Sequence, residues 1–313
     1  MLRVTFLGTG GSIPQTDRNA SAVAVEMEGD LLLFDCGEGT QRQMMRYGSG
    51  FGVDRIFITH VHGDHILGLP GLSQTWTFQG REKPVEVYTP EGTYQTIKDC
   101  FDLAGHNPPY DVRYQEVRPG HRLEFEEYDV AVTETDHEDC SSVGYSLDEH
   151  DRKGRFDRER AEELGVEPGP KFSRLHNGET IELEDGTVVD PDQVVGEPRK
   201  GRKVVYSGDT RPTEAVKKEA EKASLLIHDG MFESSHSERA EYTGHSTTRE
   251  AAELARYADV ELLALTHVSS RYSDGVHDLE REAREIFPDS VVAYDGMTVV
   301  VEYPEKDRET RVK

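Results

Sequence analysis

The stretch Thr59-His60-Val61-His62-Gly63-Asp64-His65 constrains this chain more than any other. It follows Arg55-Ile56-Phe57-Ile58, whose β-branched and aromatic residues read as a strand that ends in a loop. In an extended backbone the side chains at i and i+2 project to one side, so His60 and His62 face the same way as the strand runs out. Asp64 and His65 then open a helix. A surface turn with an N-capping Asp does not need four ligand-type residues in six positions, and imidazole with carboxylate suits zinc or a similar divalent ion.

Three later segments share this design. Val130-Ala131-Val132-Thr133-Glu134-Thr135-Asp136-His137, Lys203-Val204-Val205-Tyr206-Ser207-Gly208-Asp209 and Leu262-Leu263-Ala264-Leu265-Thr266-His267 each read as a strand closing on a residue able to bind metal. Strands stacked in sheets present their ends along one rim, so four such ends predict one site assembled from distant sequence. The residues His60, His62, Asp64, His65, His137, Asp209 and His267 are too many for one tetrahedral zinc, and their number favours two ions. His60, His62 and His137 are assigned to the first ion, Asp64, His65 and His267 to the second, and Asp209 to a bridge. Two cations roughly 3.5–4 Å apart lower the pKa of a bridging water and stabilise a developing anion, which gives hydrolysis without a covalent enzyme intermediate. Asp64, if it ligates through one oxygen, is the candidate to orient that water and accept its proton. Glu134 and Asp136 flank His137, but strand alternation turns neighbours to opposite faces.

Helical patterns are expected over 64–79, 91–104, 213–223 and 246–257, with Trp76 and Phe78 as helix core. Hairpin-like strands occupy the first forty residues and the stretch 112–147. Two groups of strands with helices outside them imply an α/β, four-layer αββα sandwich. Residues 1–313 are read as one domain interrupted by an insertion over 150–200. That insertion is rich in charge, carries Gly165, Pro168, Gly169 and Pro170, and has little apolar periodicity, so it reads as an arm. Basic residues at its edges, Arg152, Lys153, Arg155, Arg158 and Arg160, then Arg199, Lys200, Arg202 and Lys203, offer places where a polyanion could touch. The same composition also describes a solvated loop.

Acidic residues outnumber basic ones 61 to 36, giving a formal charge of −25, and only 11 of the basic residues are lysines. Such a charge ordinarily argues against a nucleic-acid partner. Acids spread along the whole chain also fit a protein solvated for high salt, where the Debye length shrinks to roughly 3 Å at 1 M. Net charge therefore does not decide the partner. Cys36, Cys100 and Cys140 lack metal-type spacing and read as reduced thiols. The amino terminus reaches the turn Gly8-Thr9-Gly10-Gly11 too early for a signal peptide, and no long apolar run follows, so a cytoplasmic protein without a membrane partner is expected. His106, His121, His150, His176, His236 and His277 lie in polar stretches and are expected outside the metal site.

On several blocks the sequence resembles the ribonuclease Z family, tRNA 3′-processing endonucleases of the metallo-β-lactamase superfamily. The blocks are Phe6-Leu7-Gly8-Thr9-Gly10, Phe34-Asp35-Cys36-Gly37-Glu38-Gly39-Thr40-Gln41, the histidine motif with Gly68-Leu69-Pro70-Gly71, Ser207-Gly208-Asp209-Thr210-Arg211, Gly244-His245-Ser246-Thr247, and Thr266-His267-Val268-Ser269-Ser270-Arg271-Tyr272. The resemblance implies a metallo-β-lactamase fold, two Zn2+ per subunit with Mn2+ or Fe2+ as alternatives, and a homodimer acting on precursor tRNA. It implies cleavage after the discriminator nucleotide, leaving a 3′ hydroxyl on the tRNA and a 5′ phosphate on the trailer. His245 matches a histidine thought to act at the scissile phosphate, by stabilising the transition state or delivering a proton to the leaving 3′ oxygen. The arm, with Gly169-Pro170 and Lys171, resembles the family's tRNA-binding exosite. Pro14-Gln15-Thr16-Asp17-Arg18-Asn19 resembles a PxKxRN loop with Thr16 in place of the lysine, which leaves discrimination against a 3′ CCA end open, while Arg18 and Asn19 still offer donors to RNA. In His228-Asp229-Gly230-Met231 the family more often has Glu after the histidine, and Asp229 is expected to support the site from outside it. The metal pair alone would also suit a small-molecule phosphodiesterase or thioesterase. An RNA-binding subunit without chemistry is the third reading, but it would be expected to have lost ligands.

Overall fold

The computed structural model describes residues 1–13, 15–103, 108–138, 140–303 and 310–312. Pro14, Ala104 and His106, which figure in the expectations above, lie outside the described residues. The chain divides into two compact units, Met1–Asp148 with Arg202–Lys313, and Glu149–Gly201.

The first unit is built on two mixed sheets. One runs Arg311–Val312, Thr298–Val301, Leu2–Gly8, Ala22–Met27, Asp30–Phe34, Arg55–Phe57, Val85–Pro90, Val112–Val117, antiparallel as far as Asp30–Phe34 and parallel beyond it. The other runs Ser290–Val292, Leu263–Thr266, Leu225–Asp229, Lys203–Tyr206, Val143–Glu149, Tyr128–Glu134, Arg122–Glu124, with its first four strands parallel. Alternate residues of both sheets meet in one core, where Phe34 stacks on Phe57 at 5.0 Å and Tyr145 lies 5.3 Å from Phe57. Each such buried large side chain contributes about 1.5–3 kcal/mol of transfer free energy. The opposite faces of the sheets are covered by helices through two further cores, one centred on Leu72, Trp76 and Phe101, the other on Leu254, Leu263 and Leu279. These are the four layers of an αββα sandwich.

The helix expected over 64–79 is two helices, Gly63–Ile66 and Leu69–Phe78. At the break the Gly68 N–H donates out of the helix to Cys36 O at 2.8 Å, and only glycine fits there, because a Cβ would stand 2.1 Å from the Gly37 carbonyl oxygen. Cys36 in turn donates to His65 O at 2.7 Å, so the Asp35-Cys36-Gly37 turn clamps the histidine motif. Trp76 is buried and donates to Phe51 O, but Phe78 is 87% exposed, at the last position of its helix, and is not core. Among the described residues no helix is long and apolar enough to cross a membrane.

The second unit has a core of its own, Ala161, Val166, Leu175, Ile181, Val189 and Val194, with Phe156 against Phe172 at 4.9 Å. It is therefore more than the solvated loop that its composition allowed. Its apolar residues are spread over the helices Arg158–Glu163 and Pro170–His176 and the hairpin Ile181–Glu182/Val188–Val189, too short for a visible period. Several of its basic side chains are paired within the unit: Arg158 with Glu162, Arg160 with Glu163, Arg174 with Glu179, and Lys200 with Asp151. Lys171 sits half-buried on the helix Pro170–His176.

Candidate active site

The strands Arg55–Phe57, Tyr128–Glu134, Lys203–Tyr206 and Leu263–Thr266 all end on the same rim, and the loops that leave them bring the sequence-derived ligands together. His60, His62 and His137 form one group whose ligand atoms lie within 4.8 Å of one another; Asp64, His65, Asp209 and His267 form a second. In the first, His60 Nε2 and His137 Nε2 stand 3.0 and 3.3 Å from His62 Nδ1. In the second, Asp64 Oδ2 lies 3.2 Å from His267 Nε2 and 3.7 Å from His65 Nε2. Asp209 joins the two groups, its Oδ2 being 3.0 Å from His267 Nε2, 3.1 Å from His65 Nε2, 3.8 Å from His60 Nε2 and 4.0 Å from His137 Nε2.

The donor set fits divalent cations. Burial and the neighbouring His65 push the His60 imidazole well below its ordinary range, and burial and His137 lower His62, so both offer neutral nitrogen lone pairs. Burial opposes ionisation of Asp209, but His267 and His65 hold it well below the carboxylate range; Asp64 is likewise held low, against its burial, by the His267 hydrogen bond and the charge of His65. Burial opposes a charge on His65 too, yet Asp209 and Asp35 push it well above its ordinary value. The buried negative charge that draws a proton to His65 is charge that a cation would balance.

The ligands are held from behind. His65 Nδ1 lies 2.8 Å from Asp35 Oδ2, and the Asp35 carboxylate also accepts from Thr59 N–H at 2.8 Å and from the Tyr206 hydroxyl at 2.9 Å. His60 Nδ1 stands 3.1 Å from Thr59 Oγ1, and His137 Nδ1 2.9 Å from the Gly244 carbonyl. Gly244 adopts φ 64°, and a Cβ there would come within 2.6 Å of Glu138 N and 3.1 Å of His137 Nδ1. His267 has φ 60°, with its ring so close to Gly11 that a Cβ on Gly11 would fall 2.5 Å from the imidazole. For His60, His65 and His137, fixing the second ring nitrogen in this way sets the tautomer and aims the other nitrogen into the cluster. The buried His267 Nδ1, by contrast, has no hydrogen-bond partner among the described residues, and that ring is held by its packing against Gly11. Asp35 carries no ligand-type spacing in the sequence. Its signal was its place in the turn directly after the strand Asp30–Phe34.

His245 stands beside the cluster, its ring 4.8 Å from that of His137 and 4.9 Å from that of His267. Asp229 Oδ2 lies 2.7 Å from its Nδ1, while the Asp229 carboxylate also accepts from the backbone N–H groups of Met231 and Thr210. Asp229 and His245 also group with Asp209 and His267 within ligand distance. Their mutual hydrogen bond engages Asp229 Oδ2 and His245 Nδ1. His228 is buried on the same strand with Nδ1 2.8 Å from the Asp229 carbonyl oxygen, and belongs to none of these groups. Glu134 and Asp136 are exposed, away from the cluster.

Next to Asp64 opens a cavity of about 610 Å³, lined by Gly11, Ser12, Ile13, Glu38, Arg42 and Leu67 among others. The loop that carries Arg18 and Asn19 borders it. Arg18 is only 8% exposed and donates from Nη1 to Thr9 Oγ1 and the Ala293 carbonyl; Asn19 donates from Nδ2 to the Glu38 carbonyl and from its backbone N–H to Asp295. These bonds anchor the loop, and Arg18 and Asn19 both also line the cavity. The same loop contributes the Ser12 N–H, 2.8 Å from Asp64 Oδ2, whereas Thr16 is exposed. Lys171 belongs to the second unit.

Residues 193–268 match a family model described as a beta-lactamase superfamily domain, and residues 2–151 one described as anti-Pycsar protein Apyc1. The chain is 55% identical to ribonuclease Z of Natronomonas pharaonis over 97% of its own length and 99% of that protein. It is 53% identical to ribonuclease Z of Haloarcula marismortui over 98% and 99% of the two chains. Among solved structures, the short form of human tRNase Z superposes with a TM-score of 0.69 at 27% identity, covering 96% of this chain and 99% of that one. Full-length identity above one half, together with the metallo-β-lactamase sandwich and its rim of histidines and aspartates, places this chain in the ribonuclease Z family.

Proposed function

We propose that the chain is a metal-dependent endoribonuclease that removes the 3′ trailer from precursor tRNA. It cuts after the discriminator nucleotide and leaves a 3′ hydroxyl on the tRNA and a 5′ phosphate on the trailer. The observation that carries this reading is Asp209 Oδ2, within 4.0 Å of four imidazole nitrogens from three other loops, in a chain 55% identical to a ribonuclease Z. His60, His62 and His137 hold one divalent cation, Asp64, His65 and His267 a second, and Asp209 is shared. Zinc suits these donors, and manganese or iron also accepts them. Bound there, a cation pair acidifies water and stabilises charge developing on a phosphate.

Each remaining part of the site has a task. Asp64 Oδ2 is oriented by the Ser12 N–H and faces His267, which leaves the carboxylate placed to receive the proton of the attacking water. His245, gripped by Asp229, stabilises the charge that builds on the scissile phosphate or supplies the proton to the leaving 3′ oxygen. The cavity beside Asp64 receives the RNA end. The unit Glu149–Gly201, through Lys171 among others, contacts the body of the tRNA, and the enzyme works as a cytoplasmic homodimer. Chelation should abolish cleavage of a trailer-bearing tRNA, zinc or manganese should restore it, and Asp209→Ala should abolish it in both. Cleavage that survives chelation in wild type and in Asp209→Ala would overturn the reading.

A further inference from the structure

We infer that Arg211, clasped by Glu250, is a positioning residue for His245. The Arg211 guanidinium donates from Nη1 to the His245 carbonyl oxygen at 2.5 Å and to Glu250 Oε2 at 2.9 Å, and a second bond from Nη2 to Glu250 Oε1 completes a two-pronged ion pair. Arg211 lies two residues after Asp209, and its own N–H donates to Asp136 O at 2.7 Å, one residue before His137. One residue thus ties the loops that carry His137, Asp209 and His245.

Glu250 makes the clasp specific. Its Oε2 also accepts from the N–H and hydroxyl of Thr247 at 2.8 and 2.9 Å, and Thr247 Oγ1 accepts from Glu250 N–H, a capping box at the start of the helix Thr248–Ala258. A helix cap alone needs no arginine. Here the carboxylate that caps the helix also aims the guanidinium at His245, two residues before the cap, so helix start, His245 backbone and Asp209 loop are tied into one body. Asp229 fixes the imidazole from the side-chain end while Arg211 fixes it from the main chain. Only a planar fork can serve a carbonyl and both carboxylate oxygens together, and lysine lacks that geometry.

This inference rests on the reading of His245 as a group that acts at the phosphate. Its test is a double-mutant cycle of Arg211→Met and His245→Ala, with kcat and KM on trailer-bearing tRNA and metal content by elemental analysis. Alone, Arg211→Met should keep its metal and KM but lose roughly 10- to 100-fold in kcat, the size of a misplaced catalytic group. In the His245→Ala background the same substitution should change kcat less than about twofold, because nothing remains to position. Glu250→Gln, a gentler change, should repeat the pattern at smaller amplitude, and Arg211→Lys should not rescue. Equal losses in both backgrounds, or lost metal in both Arg211→Met and Glu250→Gln, would overturn the positioning role while leaving His245 as assigned. Full activity in His245→Ala would instead overturn the reading of His245, and this inference with it.

Discussion

Asp229 grips His245 through a 2.7 Å contact between Oδ2 and Nδ1, and Asp229 is itself wholly buried and anchored by two backbone N–H groups. Burial disfavours charge on His245, but the Asp229 carboxylate, by charge and hydrogen bond, raises its pKa to about 9. Cations in the neighbouring cluster act in the opposite sense, so the loaded enzyme should lose kcat at a pH below that figure as His245 gives up its proton. Asp229→Asn removes the charge that favours the imidazolium. It should move this basic limb to lower pH and cost about 10- to 100-fold in kcat at neutral pH. A pH–rate profile whose basic limb does not move would show that Asp229 does not set the state of His245.

Asp35 holds His65 at 2.8 Å from outside the cluster. Asp35→Asn keeps its shape and removes its charge, so metal affinity should fall about 10- to 100-fold, as for other partners of metal-bound histidines. Competition with a chromophoric chelator measures this. Unchanged affinity would mean that the Asp35–His65 pair shapes the fold alone.

Arg18 braces its loop as well as lining the cavity, and the brace predicts that Arg18→Met acts on stability before it acts on RNA. Two buried hydrogen bonds are lost, leaving the Ala293 carbonyl and Thr9 hydroxyl short of a donor. Denaturant unfolding should show a loss of about 1–3 kcal/mol, with KM for tRNA unchanged. A raised KM without loss of stability would return Arg18 to the RNA-contacting role that its loop suggested.

These outcomes bear on what the sequence made legible. The cluster of histidines and aspartates was readable because each strand runs out within three residues of a side chain with few other uses, whereas Asp136 and His137 lie beyond the end of their strand, where alternation no longer applies. Less was readable where tertiary contact decides. The break at Gly68 depends on the Cys36 and Gly37 carbonyls, and the fate of the Arg18 guanidinium on Thr9 and Ala293, all set by the fold rather than by local pattern. Phe78 looked like core beside Trp76, yet the helix ends there and leaves it in solvent. The core of the unit Glu149–Gly201 was hidden because its α-helices, of 6 and 7 residues, fall short of two turns and its strands are two residues each.

That separate core makes the unit Glu149–Gly201 removable. Replacing residues 150–200 with a short Gly/Ser link should leave the sandwich folded and a small activated phosphodiester still hydrolysed, while cleavage of precursor tRNA falls by at least about 100-fold, the share that remote binding contacts supply. Equal loss of both activities would show that the unit supports the site itself. Full retention of tRNA cleavage would remove it from substrate recognition.

The most direct measurement is a cleavage map. Metal-loaded protein is incubated in molar salt with a precursor tRNA labelled at its 5′ end and, separately, at its 3′ trailer. The account requires a single cut after the discriminator, a 3′ hydroxyl on the tRNA, a 5′ phosphate on the trailer, and no product with Asp209→Ala. A cut elsewhere, a 3′ phosphate on the tRNA, or an intact substrate with fully loaded protein would contradict it.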